Sequence, residues 1–481
     1  MEGDVRATSG GTVRWLPAAA FAGAALLAAA FFLHARFFND DALITIRYAE
    51  NLARGDGLTY NPGEKVLGTT APLWALLLAG VSAVGLSPVA AATWLGVAAF
   101  GWTAAVTVLH FRQRGAPWWS QALAAALVGT SPMLLTWAGA GMETSASVAA
   151  LATFLWLFEG RRFATAGLVA GAMVLLRPDA GLVLATAAAL VVLRERSLRP
   201  LLRAAPGFGL LVIPWIVGAA LYFGSPLPNS GFAKRLQVED WGTYLSALGP
   251  SLWAVGPVLP FALAGAATAS KQTALPALAL AATVLGMHFG GMPGCGWYLA
   301  APMYLVLVLA AEGASFLSWR IAMSAEASLL PVALTVLCAP LLGHALLPRE
   351  AHDQRIAQSQ LERCHGAVGT WLAAHAPKEA SVGVDNFGYI GYRSGLRVID
   401  MLGLIQPQTA AAIAAGQRDH ALRHHRPELI AMWAGRGNTH KYVPDDAWFA
   451  QNGYRSVFEA PLTDGKPRPA YVVFSRVEIL R

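Results

Sequence analysis

The sequence predicts a polytopic α-helical membrane protein of about eleven transmembrane helices, followed by a C-terminal soluble α/β domain, and three observations predict it. Of its 481 residues 56% are hydrophobic and 13% charged, against about 25% charged in an ordinary soluble domain. Apolar runs of the length a bilayer demands, roughly 20 residues for a ~30 Å hydrocarbon core, recur from Trp15 to Leu347. From Arg349 onward charged and turn-forming residues return and the chain reads as globular sequence. A membrane domain over residues 1–348 and an α/β domain over 349–481 are therefore expected.

The first run, Trp15 to Leu33, follows Arg6 and Arg14 but lacks a small-x-small cleavage pattern, so it reads as an uncleaved helix. Further spans are expected at 88–110, 118–136, 144–158, 163–176, 180–193, 205–223, 245–268, 274–290, 298–317 and 327–347, after a first at 15–34. The segment Pro72 to Val84 is too short to cross and is expected to be a partial or interfacial helix. Arginine and lysine cluster at Arg112 and Arg114, Arg161 and Arg162, Arg194 to Arg203, Lys271 and Arg320, which together with the basic N-terminus fit the cytoplasmic side. That rule places the chain in the inner (cytoplasmic) membrane, multi-pass, with the C-terminal domain extracytoplasmic. The net charge of +7 belongs to these short loops and is not a nucleic-acid stripe.

The loops assigned to the outer side carry a different chemistry: Asn39-Asp40-Asp41, Gly141 to Thr144, Arg177-Pro178-Asp179, Pro226 to Asn229 with Lys234, and Gly294 to Trp297. A transporter or flippase, the first alternative, would place ionisable groups inside its spans, where each costs about 2.5–3.5 kcal/mol. Here the span centres carry few charges, which favours chemistry at the outer leaflet. In the first outer loop Leu43, Ile46 and Leu52 recur at helical spacing, with Asn39 or Asp40 able to cap the helix start. Capping needs one carboxylate, and Asp40 and Asp41 supply two. A close pair suits proton abstraction from an attacking hydroxyl by one member, while the other orients it or binds a cation. A turn-rich run from Gly55 to Glu64 and the segment Gly68 to Trp74 complete the loop.

The run NDDALITIRYAENLARGDGLTYNPGEKVLGTTAPLW resembles the first outer loop of GT-C membrane glycosyltransferases of the terminal β-(1→2)-arabinofuranosyltransferase family. The resemblance continues in GMET at Gly141–Thr144, RPDAG at Arg177–Gly181, YFGSPLPNSGFAK at Tyr222–Lys234, and VDNFGYIGYRSGLRVIDMLGL in the C-terminal part. It implies a polyprenyl-phosphate sugar donor, an acceptor glycan hydroxyl, inverting transfer at the outer face, and Asp40 and Asp41 as catalytic positions, with Asp40 favoured as the general base. Arabinofuranose as the sugar is carried by the resemblance alone. Such a reaction needs cations for the leaving phosphate. Arg47, Arg177, Lys234 and Arg235 are the candidates, with Lys234 foremost and Asn229 in the same loop. Glu143 and Asp179 could join the carboxylates, hold a divalent cation, or cap the spans that follow them; the fold named often employs such a cation, so a metal is an open expectation. Two departures stand out: Leu43 where the family often has an aromatic, and Gly296-Trp297-Tyr298 where it has Arg-Tyr. A non-catalytic glycan-binding scaffold of the same fold is the second alternative.

In the C-terminal domain a helix is expected over Arg355–His375, strands over Ser381–Asp385 and Arg397–Met401 around a turn region at Gly388–Gly395, a helix over Pro407–Ala415, and strands over Leu429–Trp433 and Ala470–Val477. Asp385, Asn386, Tyr389, Tyr392 and Asp400 could grip an acceptor glycan or serve folding alone. His365, His375, His424 and His425 match no metal-ligand spacing. Cys295 and Cys364 would face the same side and could pair, but lone apolar cysteines explain them equally, as they do Cys338.

Overall fold

The computed structural model describes residues 13–236, 256–268, 274–289, 296–324, 349–434, 441–461 and 469–478. Its N-terminal part is a helical bundle, apolar except in α2 and α11: α1 Leu16–Ala35, α2 Asp40–Arg54, α3 Pro72–Ala83, α4 Pro88–Gln113, α5 Trp118–Gly129, α6 Pro132–Ala138, α7 Thr144–Glu159, α8 Phe163–Leu176, α9 Gly181–Glu195, α10 Arg199–Phe223 and α11 Asn229–Arg235. Helices Leu259–Ala267, Ala274–Phe289 and Ala300–Ser324 follow. Helix starts repeat one device. Proline occupies the first turn of α1, α3, α4, α6 and α10, where its missing N–H costs nothing and its fixed φ suits the helix.

The expected boundaries from α3 to α9 match these helices within a few residues, except that the span expected at 118–136 is broken. α5 and α6 meet at a 60° bend, because Pro132 has no N–H to continue the ladder of α5 and holds Ser131 before it in extended backbone. Helix α10 begins at Arg199, six positions before the expected 205, and keeps Pro206 and Pro214 in its interior. Exposed Leu202, Leu210, Ile213, Val217 and Leu221 run along it. An apolar surface that continuous is tolerated in lipid and not in water, so the protein is a multi-pass membrane protein. Four of the described helices are long and apolar enough to cross by length and composition, five if the bent pair is one span. Eleven remains an expectation; its last member, 327–347, and residues 245–255 of the eighth lie outside the described residues, as do Cys295 and Cys338.

The C-terminal part carries one five-stranded sheet in the order β2-β1-β3-β5-β4, built from β1 Ser381–Val384, β2 Arg397–Asp400, β3 Leu429–Trp433, β4 Arg455–Pro461 and β5 Pro469–Ser475. β1 runs parallel to β2 and β3, and β5 joins β3 and β4 antiparallel. The expected α/β class holds, with two corrections. β4 lies where no strand was expected. The expected turn region at Gly388–Gly395 is instead a helix, Phe387–Ser394. Its glycines read as turn residues but serve close approach: a Cβ on Gly388 would stand 2.0 Å from the Asp40 main-chain oxygen.

Residues on both sides of position 349 share one core. Ile44, Tyr48, Leu58 and Tyr60 of the first loop pack in the same buried cluster as Val368, Val382, Phe387, Ile390 and Val398. Asp400, at the end of β2, is fully buried and accepts from the N–H groups of Leu402 at 2.8 Å and Ile405 at 3.0 Å. Burial pushes its carboxyl up to about 7, against those N–H groups. A carboxyl raised in the folded state stabilises fully below its unfolded value and loses that contribution as pH rises through the folded one. Asp400→Asn is therefore expected to gain stability relative to wild type as pH rises from about 4 to about 7. Thermal unfolding of both proteins across that range checks it, and a pH-independent difference refutes it.

Candidate functional site

Five separate loops meet at the end of the bundle that bears the C-terminal domain. Asn39 caps α2, its side chain accepting from the Asp41 N–H at 2.8 Å, and its own N–H donates to Ala140 O at 3.0 Å. This fastens the Asp40-Asp41 pair to the Gly141–Thr144 loop. Gly141 holds φ +82 and lies against the Phe38 ring, where a Cβ would approach to 2.2 Å, so that position admits only glycine. Trp74 Nε1 donates to Gly141 O at 3.1 Å. On the other side the Asn229 N–H donates to Leu67 O at 2.8 Å, setting α11 and Lys234 beside the first loop.

The charged side chains delivered this way form two groups of ion pairs, set on the neighbouring rings of Trp297 and Tyr298, whose centroids are 5.9 Å apart. Lys234 Nζ lies 3.2 Å from Asp41 Oδ2. Arg177 Nη1 lies 3.3 Å from Glu143 Oε1, and its Nε and Nη2 reach the two oxygens of Asp179 at 3.1 and 3.2 Å. Burial pushes the Glu143 carboxyl up while Arg177 and Lys234 pull it down. Burial works against the Arg177 charge, yet Asp179 and Glu143 outweigh it and hold the guanidinium above its usual range. Both cations rest on aromatic rings: Lys234 Nζ is 5.7 Å from the Trp297 centroid and the Arg177 guanidinium 4.6 Å from that of Tyr298. Where the resembled family carries Arg-Tyr, this chain thus uses two rings as seats for cations from other loops.

The adjacent aspartates have different surroundings. The Asp40 carboxylate accepts from the Gly388 N–H at 3.0 Å and the Tyr389 N–H at 2.8 Å. These are the first unpaired donors of helix Phe387–Ser394, whose own N-cap Asn386 makes no side-chain cap. Asp40 therefore caps a helix of the other part of the chain, an interaction worth about 1–2 kcal/mol. Asp41 keeps 29% of its side chain exposed against 16% for Asp40.

Other candidates from the sequence are spent on joining the two parts. Arg47 is buried and donates to the carbonyls of Tyr60, Gly391 and Leu396, with its guanidinium over the Tyr60 ring. It stands apart from both groups of ion pairs. Asn229 Nδ2 donates to the carbonyls of Gly403 at 2.6 Å and Leu404 at 2.9 Å. Asn61 exchanges two hydrogen bonds with Val398, as an added strand residue would, at 2.9 and 3.0 Å. Asp385, Asp400 and Tyr389 are buried and Tyr392 donates to Glu50 at 2.7 Å, so of the five residues considered for gripping a glycan only Asn386 is exposed. His365, matched to no role in the sequence, lies 3.6 Å from Asp40; no spacing signal could have found it. Among the described residues no group of three or more His, Cys, Asp or Glu side chains could hold a metal ion, and Asp41 faces a lysine instead of a second open carboxylate. At the opposite end of α7 the basic loops are not bare: Arg114 pairs with Glu159 and Glu312, and Arg161 with Glu195.

Comparison with known proteins bears on this arrangement. A family described as a domain of unknown function (DUF8728) matches residues 352–474, most of the C-terminal part. The terminal β-(1→2)-arabinofuranosyltransferase of Mycobacterium tuberculosis is 27% identical over 229 residues, covering 43% of this chain and 36% of that protein. The match thus spans about a third of that relative's length. Among solved structures, ArnT from Cupriavidus metallidurans in the apo state has a TM-score of 0.57 at 14% identity, covering 95% of this chain and 97% of that one. ArnT bound to undecaprenyl phosphate gives 0.53 at 13% identity, covering 97% and 99%. The Archaeoglobus fulgidus oligosaccharyltransferase in complex with Zn and sulfate gives 0.55 at 14% identity, covering 90% and 71%. These likenesses show that the chain has the GT-C fold along nearly its whole length.

Proposed function

We propose that this protein is a glycosyltransferase that moves a sugar from a polyprenyl-phosphate donor to an acceptor glycan hydroxyl, with inversion, at the extracytoplasmic face of the inner membrane. The observation that carries the reading is the convergence of Asp41, Lys234, Glu143, Arg177 and Asp179, over Trp297 and Tyr298, at one end of a lipid-embedded bundle. A lipid-borne sugar has its phosphate at the headgroup level, which is where such an array can meet it. The ArnT structure with undecaprenyl phosphate and the arabinofuranosyltransferase relative support this class of donor, and arabinofuranose is the sugar the relative favours.

Inverting transfer needs a base across the sugar from the leaving phosphate. In the proposed reaction the acceptor O–H proton passes to Asp41 and the oxygen forms a bond to the anomeric carbon. The bond from that carbon to the phosphate oxygen breaks, its electron pair leaving with the lipid phosphate. Asp41 is preferred to Asp40 as the base because both Asp40 oxygens already accept backbone N–H groups. Lys234, paired with Asp41 at rest, transfers to the incoming phosphate and so uncovers the base; Arg177 on Tyr298 supplies the second cation. Lys234→Gln is accordingly expected to raise KM for the donor about ten-fold, with a smaller fall in kcat. Initial rates at graded donor concentration check it, and an unchanged KM removes Lys234 from donor binding.

The reading as a whole is tested by supplying purified protein with a panel of polyprenyl-phosphate sugars and acceptor glycans. Release of polyprenyl phosphate is expected with at least one donor and lost in Asp41→Ala; absence of release with every donor rejects the reading. A cysteine-accessibility scan is expected to label 37–70 and 350–480 from outside and 110–115 from inside. The reverse pattern rejects the orientation.

A further inference from the structure

We propose that His365, backed by Tyr471 and Asp385, is a positioning residue that acts through Asp40 on the neighbouring Asp41; the inference rests on the transferase reading above. His365 sits in a π-helical turn, Glu362–Gly366, inside a helix that otherwise runs as α-helix over 349–375. Such a turn inserts one residue and re-aims the side chains beside it, at a cost in hydrogen-bond geometry that functional sites commonly bear. Here it turns His365 toward the other part of the chain, with Nδ1 3.6 Å from Asp40 Oδ1.

Behind His365 lies a buried polar stack. The imidazole meets the Tyr471 ring edge-on, centroids 4.8 Å apart. Tyr471 is fully buried and donates its hydroxyl to Asp385 Oδ1 at 2.6 Å. Asp385 is 3% exposed, and burial pushes its carboxyl up against the pull of Tyr471, the Asn386 N–H and His365. Two atoms of this stack, His365 Nδ1 and Asp385 Oδ2, are buried without a hydrogen-bond partner. Each such orphan costs about 1–3 kcal/mol. Packing alone would fill these places more cheaply with apolar side chains, so the polar stack points to a use.

Geometry supplies the use. A shift of about 0.8 Å brings Nδ1 to the ~2.8 Å of a charge-assisted bond with Asp40, and hydrogen bonds at catalytic centres are often long until substrate arrives. Asp40 is the first residue of α2 and Asp41 the second. With Asp40 held by the two N–H groups of helix Phe387–Ser394 and by His365, the first turn of α2 is fixed from three sides and Asp41 is aimed with it. All three stack residues lie within the stretch 352–474 matched by a family of undescribed function. The C-terminal domain then contributes directly to the geometry of the reacting centre.

The test uses the full-length protein in detergent with a turned-over polyprenyl-phosphate donor, and compares His365→Leu with His365→Asn, whose amide nitrogen can replace Nδ1. His365→Leu is expected to lower kcat about 30-fold with donor KM within about two-fold, since misplacement by about 1 Å costs on that order. His365→Asn is expected to recover activity to within about five-fold of wild type. The double variant Asp40→Asn with His365→Leu is expected to be no worse than Asp40→Asn alone. Equal activity of the Leu and Asn variants overturns the proposal, as does multiplication of the two losses in the double variant. If wild type turns over no donor, the transferase reading falls by itself. Positioning is then judged by hydrogen exchange at the Gly388 and Tyr389 amides: acceleration of about ten-fold or more in His365→Leu supports it, and unchanged exchange overturns it.

Discussion

Asp41→Asn is expected to lower kcat by about a thousand-fold while leaving thermal unfolding nearly unchanged, the middle of the range for losing a general base. The stability side follows from its surroundings. The carboxylate is part-exposed and pairs with Lys234 at 3.2 Å, and pairs of that kind contribute about 0–1 kcal/mol. Asp40→Asn should show the opposite profile: an unfolding shift from the weakened cap of helix Phe387–Ser394, and a smaller loss of kcat through Asp41. Single-turnover release of polyprenyl phosphate, measured beside the unfolding midpoint, separates the two. An Asp41→Asn variant within about ten-fold of wild type beside an inactive, well-folded Asp40→Asn would exchange their roles.

Arg47→Met is expected to destabilise the folded protein by about 3–5 kcal/mol, because three buried hydrogen bonds from a charged donor are lost at once, each worth about 1.5–3 kcal/mol; Asn51 Nδ2 and the Gly395 N–H still serve the Tyr60 and Gly391 carbonyls, so the Leu396 carbonyl loses most. Methionine fills much of the same volume, so the loss reports hydrogen bonding more than a cavity. The carbonyls belong to Tyr60, Gly391 and Leu396. Breaking this contact separates the first loop from helix Phe387–Ser394, and activity should fall in step with the folded fraction. Thermal unfolding in detergent measures it; an unchanged midpoint with a raised donor KM would return Arg47 to the substrate.

The helical bundle was legible because lipid imposes a length and a composition that few other environments demand. α3, α7, α8 and α9 lie within two residues of their expected ends for that reason. That the loops of the candidate site would meet at one end was legible too, since charge asymmetry sorts loops into two sets without any knowledge of packing. Less legible was which residue of each motif does what. The run from Arg47 to Glu64 carries the strongest resemblance, yet Arg47, Tyr48, Asn51, Tyr60 and Asn61 all bond to backbone groups. A motif that fastens one domain to another repeats in sequence as faithfully as one that binds substrate. Gly388 illustrates the converse error: in isolation glycine signals a turn, and only the approaching main chain of Asp40 explains it inside a helix. His365 lay beyond reach altogether, because its partner stands in another domain.

The bond from Arg47 to the Gly391 carbonyl joins residues 344 positions apart. At about 5–20 residues per second of synthesis, Arg47 waits on the order of tens of seconds before its acceptor exists. Throughout that time Arg47 lacks two of its three carbonyl partners, and Asp40 lacks both of the N–H groups that it caps. The proposed reacting centre is therefore completed by nearly the last fifth of the chain to be made, and a ribosome that stalls inside the membrane part releases helices whose Asp40 has no helix to cap. On the proposed reading, competence is in this sense a late event in the life of each molecule, reached only when Asp40 of the second helix meets the helix it caps.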